Sequence, residues 1–112
     1  MTVAGDTAPA FDADARARGR DRALAARQQR AQIKRDLRSG ALTIDAVLGE
    51  RLADPVVGRM RVTDLLESLP GIGPVRAADV LSRCSIASSR RLRGLGEHQV
   101  EGILRETGNS RR

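Results

Sequence analysis

The hydrophobic and polar positions divide the chain into a long charged stretch followed by a run of short apolar clusters. Residues 1–11 carry Gly5 and Pro9 and show no periodicity, which predicts a disordered leader. From Asp12 to Ser39 there is no Pro, and Ala, Arg, Gln and Leu dominate, all strong helix formers. Asp12 and Asp14 suit a first turn, Arg38 suits a last turn, and Gly40 stands where a helix would stop. A helix over 12–39 would be about 40 Å long at roughly 1.5 Å per residue, too long and too polar for an ordinary core helix.

The faces of this arm are segregated. At about 100° per residue, Arg16, Arg20, Arg27, Arg30, Lys34 and Arg38 fall within roughly 40° of one line, with Asp14, Asp21 and Asp36 opposite. Ala26, Ile33 and Leu37 form a short apolar strip on a flank, enough to dock only the C-terminal part. Separation of the two signs over several turns favours a stripe that faces a polyanion over a merely solvated surface.

After Gly40 the elements are short. Thr43 can cap a helix over Ile44 to Leu48, and Pro55 can open another turn after the break at Asp54. Thr63 is a candidate cap for Asp64 to Leu69, with Leu65, Leu66 and Leu69 as the apolar face. Pro74 starts the next helix, whose Val75, Ala78 and Leu81–Ser82 side is expected to pack inward. A polar, basic connector then leads to a last helix over Glu97 to Glu106, with Val100, Ile103 and Leu104 on one side and Gly108 closing it. The expected fold is all-α: a leader at 1–11, a basic helical arm at 12–39, a small domain at 40–108 and a basic tail at 109–112.

Composition narrows the function. The net charge is +6, and nineteen of the twenty basic residues are Arg, a side chain suited to bidentate phosphate recognition. A GC-rich genome would raise Arg over Lys in the same way, so the excess alone decides nothing. Aromatic residues are nearly absent, which disfavours strands. Cys84 stands alone, so neither a disulfide framework nor a thiolate zinc cluster is expected. No stretch is apolar enough to span a membrane or act as a secretory signal, and a cytoplasmic protein is expected.

The segment Leu69-Pro70-Gly71-Ile72-Gly73-Pro74-Val75-Arg76-Ala77 carries the most specific signal. Two helices would meet through a turn in which Gly71 and Gly73 allow positive φ and close backbone approach, while Ile72 drops inward to pin it. The amides of the turn and of the following helix start would point outward together at the positive end of a helix dipole. Such a site holds a phosphate without reading base sequence.

LPGIGPVRA resembles the hairpin of helix-hairpin-helix and helix-two-turns-helix modules. The wider stretch LLESLPGIGPVRAADVLSRCSIASSRRLRGLGEHQVEGIL resembles the helix-two-turns-helix domain of the actinobacterial integration host factor family. VVGRMRVTDLLESLPGIG and SRRLRGLG are close to that family's most diagnostic strings, and ARQQRAQIKRDLRSG resembles its long N-terminal helix. The likeness implies a nucleoid-associated protein that binds duplex DNA with little sequence preference and bends or compacts it. By motif position it implies contacts from Gly71, Ile72, Gly73 and Arg76 at the hairpin and from Arg90, Arg91 and Arg93. The arm residues Arg27, Arg30, Lys34 and Arg38 are added from the stripe. Three Arg within four residues repel one another, and a bound phosphate would relieve that.

Two rival readings stand beside it. A more distant likeness to a ribosomal small-subunit head protein, which uses a related module on RNA, makes an RNA-binding ribosome-associated protein the first. A protein-interaction module is the second, although no heptad is sustained in the arm. Cys84 is expected in the core beside Val80, Leu81 and Ile86. His98 has no second ligand at metal spacing, and Ser85, Ser88 and Ser89 have no base arranged beside them. The expectation is therefore a monomer in solution with no cofactor, metal or enzymatic activity.

Overall fold

The computed structural model describes residues 3–108, with side chains from Ala13 onward; the basic tail at 109–112 lies outside the described residues. The helices run α1 Val3–Ser39, α2 Ile44–Gly49, α3 Pro55–Arg59, α4 Val62–Glu67, α5 Pro74–Arg83 and α6 Glu97–Glu106, with a 3-10 turn at Leu92–Gly94. The described residues form no strand, only an isolated antiparallel bridge between Arg61 and Arg91. The backbone of α1 is helical from Val3, ahead of the start expected at Asp12. Ala4, Ala8 and Ala10 have the highest helix propensity, and extending an existing helix is far easier than nucleating one.

Local chemistry sets most boundaries. Gly40 takes a φ of 85° and ends α1. The Ala46 amide donates to Thr43 Oγ1 at 3.1 Å, capping α2 as expected. Asp54 Oδ1 accepts from the Val56 amide at 2.9 Å, and Pro55 opens α3. At the end of α5, Ile86 N–H reaches the Leu81 carbonyl and Ser85 N–H the Ser82 carbonyl, with Ser85 at a φ of 57°. That is a Schellman closure built on Ser in place of the usual Gly.

Two helices depart from expectation. α4 starts at Val62, with Arg61 and not Thr63 at its cap. The Val62 amide donates to the Arg90 carbonyl at 3.0 Å, and Thr63 Oγ1 donates to the Ser88 carbonyl at 3.2 Å. The bridge to 90–91 therefore fixes the start of the helix. α5 turns Ala77, Val80 and Leu81 inward, while Val75 is 85% exposed and Ala78 and Ser82 face solvent. Two apolar faces were available on this helix, and the buried one carries more apolar volume against α4 and α6.

The core gathers Leu37, Ile44, Leu48, Met60, Val62, Leu65, Leu66, Val80, Leu92 and Ile103. Leu92 and Leu95 make the expected connector a core element, held where the Leu92 amide donates to the Met60 carbonyl at 2.9 Å. Gly58 permits this packing, because a Cβ there would stand 2.5 Å from the Arg51 carbonyl and 3.2 Å from Arg93 Cβ. Arg51 is a buried side chain that its sequence context did not announce. Its Nε donates to the Leu95 carbonyl at 3.3 Å, one terminal nitrogen to the Leu48 carbonyl at 3.0 Å, and the other to Glu97 Oε2 at 3.1 Å.

The arm docks by its C-terminal part. Leu37 is buried, and Ile33 and Ala26 are partly buried, as the apolar strip predicts. Two polar ties add to them: Gln29 Nε2 donates to Asp54 Oδ2 at 2.7 Å, and an Arg38 terminal nitrogen donates to the Glu67 carbonyl at 3.2 Å. Asp54 thus caps α3 with one oxygen and holds the arm with the other.

Candidate nucleic-acid interface

The hairpin joins α4 to α5 through Ser68–Gly73. Gly71 sits at a φ of 78°, the left-handed region that only Gly enters without strain. Gly73 does not share that need. It caps α5 at a φ of −97°, and a Cβ there would meet nothing within 4 Å. Its space is open to whatever approaches from outside. Ile72 is partly buried against the core, and its amide donates to the Leu69 carbonyl at 3.3 Å, so the turn is pinned as expected.

Among the described residues no side chain caps α5, and Pro74 has no N–H to offer. Among the described residues the N–H groups of Gly71, Gly73, Val75 and Arg76 have no partner. Gly73, Val75 and Arg76 belong to the first turn of α5, at its positive end, and all four residues are exposed. This is a cradle of backbone donors that needs an acceptor from water or from an anion.

The guanidinium groups divide into held and free. Arg76 donates to the Glu106 carbonyl at 2.7 Å, tying α5 to the end of α6 and away from the cradle. Arg90 donates to the Gly94 carbonyl at 2.9 Å and Arg91 to the Arg59 carbonyl at 2.7 Å. These bonds brace the SRRLRGLG loop, so its three Arg are not an unsupported charge cluster. Arg93 alone of the three makes no hydrogen bond within the described residues, and it is exposed.

The bridge between Arg61 and Arg91 brings the string Arg59-Met60-Arg61 alongside Arg90–Arg93. Met60 turns into the core, leaving Arg59 and Arg61 exposed beside Arg93. Sequence reasoning missed both, although the alternation of Arg around one buried apolar residue was a visible signal. In the arm, Arg27 is exposed, Arg30 and Lys34 are half-buried on the rim of the docked seam, and Arg38 is held on α4. The stripe therefore flanks the docked face and continues outward through exposed Arg16 and Arg20.

Outside these surfaces little chemistry is assembled. Cys84 packs partly against the core, and burial, helped by the charge of Glu106, pushes its thiol up, away from the reactive thiolate. His98 is fully exposed, its Nδ1 3.8 Å from Glu101 Oε1. Among the described residues no three His, Cys, Asp or Glu side chains cluster to hold a metal, and no helix is long and apolar enough to cross a membrane.

Residues 37–107 match the family model described as S13-like H2TH domain. The chain is similar to the integration host factor of Streptomyces coelicolor, at 39% identity over 102 residues, covering 91% of this chain and 95% of that protein. The integration host factor of Mycobacterium tuberculosis is 38% identical over 102 residues, covering 91% of this chain and 97% of that one. Among solved structures, sIHF bound to an 8 bp palindromic DNA is similar at a TM-score of 0.74 and 42% identity. That likeness covers 77% of this chain and 97% of that one.

Proposed function

The chain belongs to the integration host factor family built on an S13-like H2TH domain, and from that membership we propose that it binds duplex DNA by its phosphates and shapes it as an architectural protein of the nucleoid. The unpartnered amides of Gly71, Gly73, Val75 and Arg76 carry this reading, because their need for an acceptor is met by a phosphate oxygen. Arg59, Arg61 and Arg93, whose guanidinium groups make no hydrogen bond among the described residues, supply contacts on the adjoining edge, while Arg90 and Arg91 hold that edge in shape and add field. Arg76 contributes through its amide, its side chain being committed to Glu106. Arg27, Arg30 and Lys34 extend contact along the arm, with Arg38 mainly a docking residue. The chain acts in the cytoplasm as a monomer, without cofactor or catalysis, through DNA deformability instead of base contacts.

Gly73→Val tests the cradle. Its backbone angles suit any residue and its surroundings are open, so the variant is expected to fold with wild-type stability to within about 0.5 kcal/mol. The new side chain stands where the phosphate would approach, and affinity for duplex DNA is expected to drop about tenfold or more. Charge is unchanged, so the salt dependence should stay near wild type. A folded Gly73→Val protein that binds like wild type would make the turn purely structural.

The arm is tested by truncation. Among the described residues, hydrogen bonds between arm and domain begin at Gln29, so removing residues 1–25 is expected to leave the unfolding transition in place. Binding should weaken, and the salt slope should become shallower by about 0.9 for each phosphate that the shortened arm no longer reaches. Undiminished affinity and slope would confine the arm's phosphate contacts to Arg27, Arg30 and Lys34, which the truncation keeps.

A further inference from the structure

The arm leaves the domain as a lever. Leu37 is buried near its root, where Arg38 donates to the Glu67 carbonyl at 3.2 Å. About 12 Å outward along the helix, at roughly 1.5 Å per residue, Gln29 Nε2 donates to Asp54 Oδ2 at 2.7 Å. Among the described residues this is the outermost hydrogen bond between arm and domain. Arg16 and Arg20 lie further out, exposed, and pivoting at Leu37 carries Arg16 through about 2.6 Å for each ångström of shift at Gln29. The acceptor of this tie is itself fixed. Asp54 Oδ1 accepts from the Val56 amide at 2.9 Å, so the start of α3 orients the carboxylate and its second oxygen meets the arm. The same α3 carries Arg59 in its last turn and leads into the bridged edge of Arg61 and Arg91. One carboxylate therefore refers the direction of the arm to the element that presents the basic edge.

We propose that Asp54 is a positioning residue for DNA binding: through Gln29 it fixes the direction of the arm, so that the arm and the edge of Arg59, Arg61 and Arg93 meet one duplex as a preformed surface. The proposal rests on the DNA reading above and adds what aligns its two contact regions. Cations held in a fixed relation lose less freedom on meeting a duplex than cations on a lever that swings, and the difference appears as affinity. Asp54 itself, a carboxylate, takes no phosphate, and its effect passes entirely through Gln29.

The test uses full-length variants and one duplex of about 30 base pairs, roughly three turns, at one salt concentration. Gln29→Glu sets one carboxylate against another and pushes the arm off α3. Adding Asp54→Asn keeps an oxygen for the Val56 amide and turns an Nδ2 donor to Glu at position 29, restoring the tie at the wild-type net charge. Gln28→Glu, at an exposed neighbour about 100° round the helix, adds the same charge without touching the tie. Gln29→Glu is expected to bind about fivefold more weakly than Gln28→Glu, and the double variant to return within about twofold of wild type. Unfolding midpoints should stay together, since Gln29 is exposed. The direction of the arm is read from the distance distribution between spin labels at Ala15→Cys and Ser89→Cys in a Cys84→Ala background. That distribution should be narrow in wild type, broad in Gln29→Glu and narrow again in the double variant. Equal affinities of Gln29→Glu and Gln28→Glu, no recovery in the double variant, or one unchanged distribution overturns the positioning role while leaving DNA binding intact. Failure of the wild type to bind the duplex overturns both readings together.

Discussion

Raising salt from about 50 to about 200 mM is expected to weaken binding to duplex DNA roughly a thousandfold. Six basic side chains on the domain and the docked part of the arm stand clear of strong internal partners: Arg59, Arg61 and Arg93 on the bridged edge, and Arg27, Arg30 and Lys34 on the arm, with Arg16 and Arg20 able to add to them further out. Each neutralised phosphate releases counterions and contributes about −0.9 to the slope of log affinity against log salt. Six contacts therefore predict a slope of about −5. The guanidinium groups of Arg38, Arg76, Arg90 and Arg91 each donate to a carbonyl of the chain and are expected to add less. Replacing Arg59, Arg61 and Arg93 together should cut the slope by about 2 to 3 and weaken all duplex sequences alike, since phosphate contacts carry no base identity. A nearly flat titration of the wild type would rule out phosphate binding as the main activity.

Arg51→Met is expected to cost about 3 kcal/mol of folding stability, read as a lower urea midpoint and a melting temperature lower by roughly 15 °C. The buried guanidinium joins the end of α2 to the Leu95 carbonyl and the start of α6. Its removal leaves the Leu95 carbonyl without its side-chain donor. Glu97→Gln is the contrasting case. The Glu97 side chain is 83% exposed, so water replaces the pair and the change should stay within about 0.5 kcal/mol. Equal effects from the two substitutions would place the stabilisation in the ion pair and not in the carbonyls.

The residues that carry local chemistry were legible in the chain itself. Thr43 and Pro55 mark helix starts, Gly40 an end, and Gly71 a left-handed turn. Each acts through a backbone angle or a hydrogen bond spanning a few residues, so a short window of sequence contains the whole cause. The all-helical class, the docked strip of Leu37 and Ile33 and the exposed hairpin follow from the same short-range logic.

Tertiary structure decided the rest. Val75 and Ala77 compete as the inward face of α5 at similar helical spacing, and only packing against α4 and α6 selects Ala77, Val80 and Leu81. α4 begins at Val62 because its amide meets the Arg90 carbonyl across the bridge, which no local cap could announce. The division of arginines into held and free is of the same kind. Arg38 reaches a carbonyl 29 positions away, Arg76 one 30 away, Arg91 one 32 away, and Arg51 reaches Glu97 across 46. A guanidinium on a long stem takes whichever acceptor the folded chain brings beside it. Composition therefore fixed how many positive charges this protein has, and the fold determined which of them face outward, because a hydrogen bond between distant residues exists only after the core has placed them together.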